Sequence, residues 1–138
     1  MLNHKYRVEV QYEDVDICDV VYHPNYIRFI DRARNDAYRE FGYCFSEQYK
    51  DRVGFAIVNI NSNYLKTIGY GENIQVNTTL TKIGKRTIHY KHLIVNSLDT
   101  NDIRFEADYI IVFVCLDKKK SIDLNNKSID MLKRLREN

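Results

Sequence analysis

Asp16 and the His23-Pro24 step are the residues of this chain best placed to do chemistry. Between them runs Ile17-Cys18-Asp19-Val20-Val21-Tyr22, a short and largely apolar turn segment. Pro24 suits the first position of a helix. A helix start carries free backbone N–H groups and partial positive charge, so it suits an oxyanion. Asp16 lies seven residues upstream of His23, close enough in sequence to loop back toward that pole. A carboxylate beside an oxyanion site is the minimum equipment for hydrolysing an activated acyl group.

Several elements must position these groups. Tyr6, Val8, Val10 and Tyr12 alternate with Arg7, Glu9, Gln11 and Glu13, which predicts a half-buried strand. Continued in phase, the alternation places Asp14 and Asp16 on the apolar side. A helix is expected from Pro24 to a stop at Gly42. Tyr26, Phe29, Ile30, Ala33, Ala37 and Phe41 recur there at three- and four-residue steps, opposite Arg28, Asp31, Arg32, Asn35, Arg39 and Glu40. About 18 residues of helix span about 27 Å, the width of a small sheet. The small Ala33 and Ala37 allow a close approach to such a sheet.

Beyond a short piece at Ser46 to Lys50, strands dominate. Val53 to Leu65, Asn73 to Lys82, Thr87 to Asn96 and Ile103 to Leu116 are the candidates. Breaks fall at Gly69-Tyr70-Gly71, Gly84-Lys85-Arg86 and Ser97 to Asp102. Lys127 to Arg136 reads as a short amphipathic tail helix. One long helix against consecutive, turn-linked strands argues an α+β fold with a mostly antiparallel sheet.

The 138 residues suit one domain, taken as 1–138. With 44% hydrophobic and 29% charged residues the chain reads as soluble and globular. A net charge of only +2 gives no electrostatic case for nucleic acid. Cys18, Cys44 and Cys115 are far apart, which argues against both a zinc knuckle and a disulfide framework. A reduced, cytoplasmic protein is expected. Residues 1–10 lack the apolar core of a signal peptide. The longest apolar run, Tyr109 to Leu116, is too short to cross a membrane, so no stable membrane insertion is expected. His89 and His92, three apart on a strand, point to opposite faces and do not suggest a shared metal. No metal and no cofactor are expected.

At this point the residues match a known pattern. Tyr12-Glu13-Asp14-Val15-Asp16, then Val20-Val21-Tyr22-His23 with Tyr26, then Arg32-Ala33-Arg34, resemble the hotdog-fold acyl-CoA thioesterases. In particular they resemble the YbgC-like branch of the 4-hydroxybenzoyl-CoA thioesterase family. Arg52-Val53 with Phe55, Ala107 to Asp117 and Asn126-Lys127-Ser128-Ile129 extend the resemblance along nearly the whole chain.

The resemblance implies a hotdog fold, a five-stranded antiparallel sheet wrapped around one long central helix, with a short C-terminal helix. It implies an acyl-CoA substrate and a homodimer or homotetramer, a dimer of dimers, with the active site at the dimer interface. It makes Asp16 the base or nucleophile and gives the oxyanion to the His23 N–H. Asp19, Val20, Tyr22 and Tyr26 are implied at the substrate, although Tyr26 also reads as core. Lys85 and Arg86 are the nearest matches to the basic residues that face the CoA phosphates.

Two departures stand out. Asp19 replaces a family Gly at the turn, where Asp tolerates unusual backbone angles better than most residues. A second carboxylate there would also repel an anionic substrate. Lys120-Ser121-Ile122-Asp123 stands where the family has a Pro-Arg element. Two alternatives therefore stay beside hydrolysis: a non-catalytic acyl-CoA-binding protein, and a hotdog dehydratase or hydratase using a His with a helix acid. Asp14 is expected to orient the loop. Lys118-Lys119-Lys120 reads as a solvated turn, and Cys18, set between acids, is not expected to be a reactive thiolate.

Overall fold

The computed structural model describes residues 2–138, so Met1 of the expected 1–138 domain lies outside it. Strand β1 (His4–Glu9) follows the predicted alternation. Tyr6 and Val8 face inward, Lys5, Arg7 and Glu9 face water, and Val10 is buried just beyond the strand. The alternation stops there, which corrects the expected strand through Asp16. Residues Tyr12–Asp14 form a 3-10 turn instead, and Tyr12 is 81% exposed. The cause is local. The Asp14 carboxylate accepts the Gln11 N–H at 2.8 Å, while the Asp14 N–H donates to the Gln11 carbonyl at 3.0 Å. Such side-chain bonds offer the backbone an alternative to a strand ladder.

Helix α1 (Pro24–Glu40) begins at Pro24 and is closed by Gly42 at φ +89°. Its buried stripe holds Tyr26, Phe29, Ile30, Ala33 and Ala37, as the spacing predicts. Arg34 is also buried, which periodicity did not indicate. Its guanidinium bonds Asp31 at 2.7 Å and lies 5.1 Å from the centre of the Tyr109 ring. Helix α2 (Phe45–Lys50) follows directly.

Strands β2 (Val53–Tyr64), β3 (Asn73–Ile83), β4 (Thr87–Asn96) and β5 (Asp99–Cys115) complete the main sheet. Its order is β1-β3-β4-β5-β2, antiparallel throughout. A short β6 (Lys120–Ser121) adds to β5. Helix α3 (Asn126–Glu137) is capped by the Asn125 side chain on the Ser128 N–H. The expected start of β5 at Ile103 is corrected to Asp99. Ser97-Leu98 makes a two-residue turn, so Asn96 pairs with Asp99 and the polar residues 99–102 belong to a water-facing hairpin end.

The sheet wraps α1, the arrangement called a hotdog fold. Ile30, Ala33 and Ala37 of α1 and Ile74, Val76, Ile94, Phe105 and Phe113 of the sheet meet in one core. His92 points into that core and shares a hydrogen bond with the Thr78 hydroxyl at 3.0 Å, whereas His89 is only half-buried. Burial, together with nearby Arg34 and His4, pushes the His92 imidazole well below its ordinary pKa. It is therefore a neutral core residue.

One segment matters most for the site. Between β2 and β3, residues 65–72 run past the start of α1. Ile68 is fully buried, and Val20 bridges to Gly69. The helix–sheet gap is closed by small side chains, so Ala33→Leu should overpack it. We expect a loss of about 1–3 kcal/mol in a urea titration. An unchanged midpoint would mean that the gap is not filled at Ala33.

Candidate active site

The loop before α1 folds into a small hairpin with Val15 bridged to Val21. The Asp16 N–H donates to the Val20 carbonyl at 2.9 Å. The Asp19 N–H donates to the Asp16 carbonyl at 3.1 Å, which closes a tight turn. The Cys18 N–H donates to Asp16 Oδ1 at 2.8 Å. That bond fixes the carboxylate and leaves Oδ2 without a partner among the described residues. Asp19 sits at φ +61°, in the left-handed region. Asp is among the few non-glycine residues enriched there, so the turn closes with Asp at this position.

The hairpin is tied down on both sides. The Asp14 carbonyl accepts the Tyr22 N–H at 2.9 Å and the Asn25 side-chain amide at 3.0 Å. The Val21 N–H donates to the Ile68 carbonyl at 2.8 Å. Asp14 does orient the loop, through its carbonyl as well as its carboxylate.

His23 is the cap of α1. Its carbonyl accepts the Tyr64 hydroxyl at 2.8 Å. Among the described residues its N–H makes no hydrogen bond. That N–H points out from the positive end of a 17-residue helix. The imidazole is exposed and sits edge-on to the Tyr22 ring at 4.9 Å.

Asp16, Val20, His23 and Tyr26 line one cleft of about 310 Å³. These are four of the eight residues expected at a site. The opposite wall is Tyr64, Leu65, Lys66 and Thr67, which the sequence did not single out. Tyr26 is both core and wall, since its ring packs against Tyr64 at 4.9 Å and Phe105 at 5.1 Å. Burial raises the Tyr26 and Tyr64 hydroxyls above their ordinary pKa, so both remain donors. Tyr22 is half exposed beside the cleft, and Asp19 lies exposed on the turn.

Lys85 and Arg86 are elsewhere in the protomer. They occupy the β3–β4 turn and pair with Asp123, Arg86 at 2.8 Å and Lys85 at 3.6 Å. Thr87, next to them, pairs with Val112, whereas the cleft wall at Tyr64 pairs with Phe105. That offset along β5 corresponds to about 23 Å. A larger cavity of about 720 Å³ opens near this end, lined by Arg34, Tyr38, Tyr43, Phe55, Ile111 and Leu116.

An ion cluster braces the far wall of the cleft. Arg104 bonds Glu72 at 3.0 Å, Asp102 at 2.9 Å and the Thr67 carbonyl at 2.9 Å. Lys66 bonds Asp102 at 3.0 Å, and Glu72 also accepts the Gly69 N–H. Hydrogen bonds from Arg104 and then Lys66 hold the Asp102 carboxyl down at about 2. Burial pushes Glu72 upward, but the bonds from Arg104 and Gly69 outweigh it and hold Glu72 below its ordinary value. Asp102 and Arg104 share one strand face at i, i+2, a signal the sequence does contain.

Residues 10–135 match the Thioesterase-like superfamily. The chain belongs to that superfamily. It is 30% identical over 116 residues to YneP of Bacillus subtilis (strain 168), covering 83% of this chain and 80% of YneP. It is 28% identical over 116 residues to the acyl-CoA thioester hydrolase YbgC of Escherichia coli O157:H7, covering 84% of each. An Asp-to-Asn mutant of 4-hydroxybenzoyl CoA thioesterase, solved with 4-hydroxybenzoyl CoA, superposes with a TM-score of 0.82 at 18% identity. That match covers 93% of this chain and 96% of the other. At that identity the likeness establishes the hotdog fold. The superfamily match takes in the whole hairpin, α1 and the 65–72 segment.

Asp102 and Glu72 have folded-state pKa values below their unfolded ones. They therefore add stability that is complete above the unfolded carboxyl range and is lost as pH falls through the folded values. Urea midpoints should fall between about pH 5 and pH 2. Arg104→Met should flatten that fall and lower the midpoint near neutrality. An identical pH profile in the variant would show that Arg104 does not hold these acids.

Proposed function

We propose that this protein hydrolyses acyl-CoA thioesters to a free carboxylic acid and CoA. One observation carries the reading: Asp16 and His23, whose N–H has no partner among the described residues, line the same cleft at the positive end of α1. The superfamily membership and the likeness to YbgC support it.

The chemistry follows from the geometry. The thioester carbonyl oxygen accepts the His23 N–H, and the helix pole stabilises the charge that develops there. Removing one such donor from comparable sites costs about 2.7–4 kcal/mol of barrier. Asp16, fixed through the Cys18 N–H, takes a proton from water as that water attacks, or attacks the carbonyl carbon itself. In the second case water opens the resulting anhydride. Either route expels the CoA thiolate, which is a good leaving group. Val20, Tyr22 and Tyr26 border the reacting group. The closed turn at Asp19 keeps Asp16 in the cleft, which disfavours a non-catalytic binding protein. Neither of the helix acids sits with His23: Asp31 pairs with Arg34, and Asp36 with His4. That disfavours a His–acid dehydratase or hydratase.

We read the chain as one hotdog domain that works as a homodimer, with the homotetramer as a pairing of dimers. Edge strand β2 has no neighbour on its outer side among the described residues, and it exposes Ile57, Val58 and Ile60. Long apolar edges of this kind call for a partner. Antiparallel pairing of two β2 strands sets the Tyr64 end of one beside the Val53 end of the other. The cleft of one subunit then meets the large apolar cavity of the next, whose size suits a small-molecule group. Lys85 and Arg86 approach the cleft only from the partner, where they would meet CoA phosphates, with Lys66 on the near wall. Three separate free cysteines fit a reducing cytoplasm. Among the described residues no helix is long and apolar enough to cross a membrane.

In a thiol-release assay over a panel of acyl-CoA esters, Asp16→Asn should lower turnover by about 10²–10⁴-fold while leaving the urea midpoint nearly unchanged. Full activity in that variant would sink the assignment. A second expectation concerns assembly. Val58→Asp with Ile60→Asp should give a monomer in sedimentation velocity and abolish thiol release. A monomeric native protein with full activity would overturn the dimeric site.

A further inference from the structure

A second constellation lies toward the other end of α1, where the helix meets edge strand β1. His4 is 5% exposed, and its Nε2 stands 3.0 Å from Asp36 Oδ2 and 3.2 Å from Glu40 Oε2. The two acids are four residues apart on α1, so their carboxylates share one helix face. All three ligand atoms lie within 4.8 Å of one another. Asp36 is about 18 Å along the helix from Pro24, well away from the Asp16 cleft.

The charges here do not balance. Two carboxylates one turn apart repel each other. Among the described residues neither pairs with a Lys or Arg, and their one basic partner is the His4 imidazole. A neutral imidazole leaves two negative charges, and a protonated one still leaves one. The cluster is not a loose surface feature, because a buried His is aimed into it from a different element.

The spacing is also that of a coordination shell. A metal bound at about 2.0–2.2 Å by N and O ligands sets neighbouring ligand atoms about 3.0–3.5 Å apart. Both N–O separations, 3.0 and 3.2 Å, fall in that window. One imidazole nitrogen and two carboxylate oxygens are a donor set for Zn²⁺, three protein ligands with a position left over for water. A groove of about 490 Å³ lined by Leu2, His4, Lys5, Glu40 and Asn138 gives access from solvent.

We propose that His4, Asp36 and Glu40 form a divalent metal site, taking Zn²⁺ through one imidazole nitrogen and two carboxylates. The bound ion fastens edge strand β1 to α1. The chain termini meet at the same place. The Asn138 side chain donates to the Asn3 carbonyl at 2.6 Å, and the Asn3 amide donates to the Arg136 carbonyl at 3.1 Å. The ion therefore staples the N-terminal strand where the C-terminal helix already docks.

The test uses the full chain, stripped with a chelator and titrated with ZnCl2 near neutral pH by calorimetry. One Zn²⁺ per chain is expected. Asp36→Asn and Glu40→Gln should each weaken binding at least about tenfold, and the double variant should abolish it. His4→Ala removes a buried side chain and is expected to disturb folding, so the two acids carry the test, with circular dichroism checking their fold. Zn²⁺ should raise the Tm of the native chain and not of the double variant. Co²⁺ should give visible d–d bands without a thiolate charge-transfer band. Absence of Zn²⁺ binding, binding unchanged in the double variant, or a thiolate band that places the metal on a cysteine would each overturn the site.

Discussion

The Asp14 carbonyl is the constraint on which the rest of the site depends. It accepts the Tyr22 N–H and the Asn25 side chain at once, so one oxygen ties the loop to the first turn of α1. A helix start has several free N–H groups, and most must be satisfied when they are buried. Here the Tyr22 and Asn25 N–H groups are occupied, Pro24 has none, and the His23 N–H has no partner among the described residues. An oxyanion needs one donor held in place beforehand, because a donor that reorganises during the reaction stabilises it less.

The same economy of partners extends to the opposite wall. Tyr64 donates to the His23 carbonyl, so strand β2 sets the tilt of the helix cap. Arg104 reaches the Thr67 carbonyl and two acids, so strand β5 fixes the segment that faces Asp16. Ion pairs at a surface usually stabilise little. This cluster is partly buried and converges on one guanidinium, whose planar fork suits several acceptors at once. Its value lies in holding a loop that otherwise has few apolar anchors beyond Ile68.

How much of this was legible in the sequence depends on range. The alternation of β1 and the stripe of α1 were readable because their period is set by local geometry. Asp16, Val20, His23 and Tyr26 were readable as neighbours because a turn and a helix start lie within a few residues. The predicted strand through Asp16 failed because Asp14 bonds its own backbone at Gln11, a local choice that hydrophobic period does not register. The start of β5 failed because its polar residues form a hairpin end that faces water on both sides. Tyr64, Lys66 and Thr67 were invisible because their place in the site comes from the crossing between β2 and β3. Arg34 was hidden for a related reason, since its partner Tyr109 lies far off in sequence, on strand β5.

Asp19 shows how local strain and function meet. Its left-handed backbone costs an L-residue more than it costs glycine, and the cost is smaller for Asp than for most residues. The turn it permits aims the Cys18 N–H at Asp16 and leaves the other carboxylate oxygen without a partner among the described residues. A residue without that tolerance would open the turn and free Asp16 to swing into water. The acidic side chain itself points to solvent, so its charge acts on an approaching substrate more than on the turn. A left-handed backbone is open to Gly as well as to Asp, so what Asp19 adds at this turn is its exposed charge. A test of acyl-CoA preference should therefore begin with the charge of Asp19 and not with the placement of Asp16.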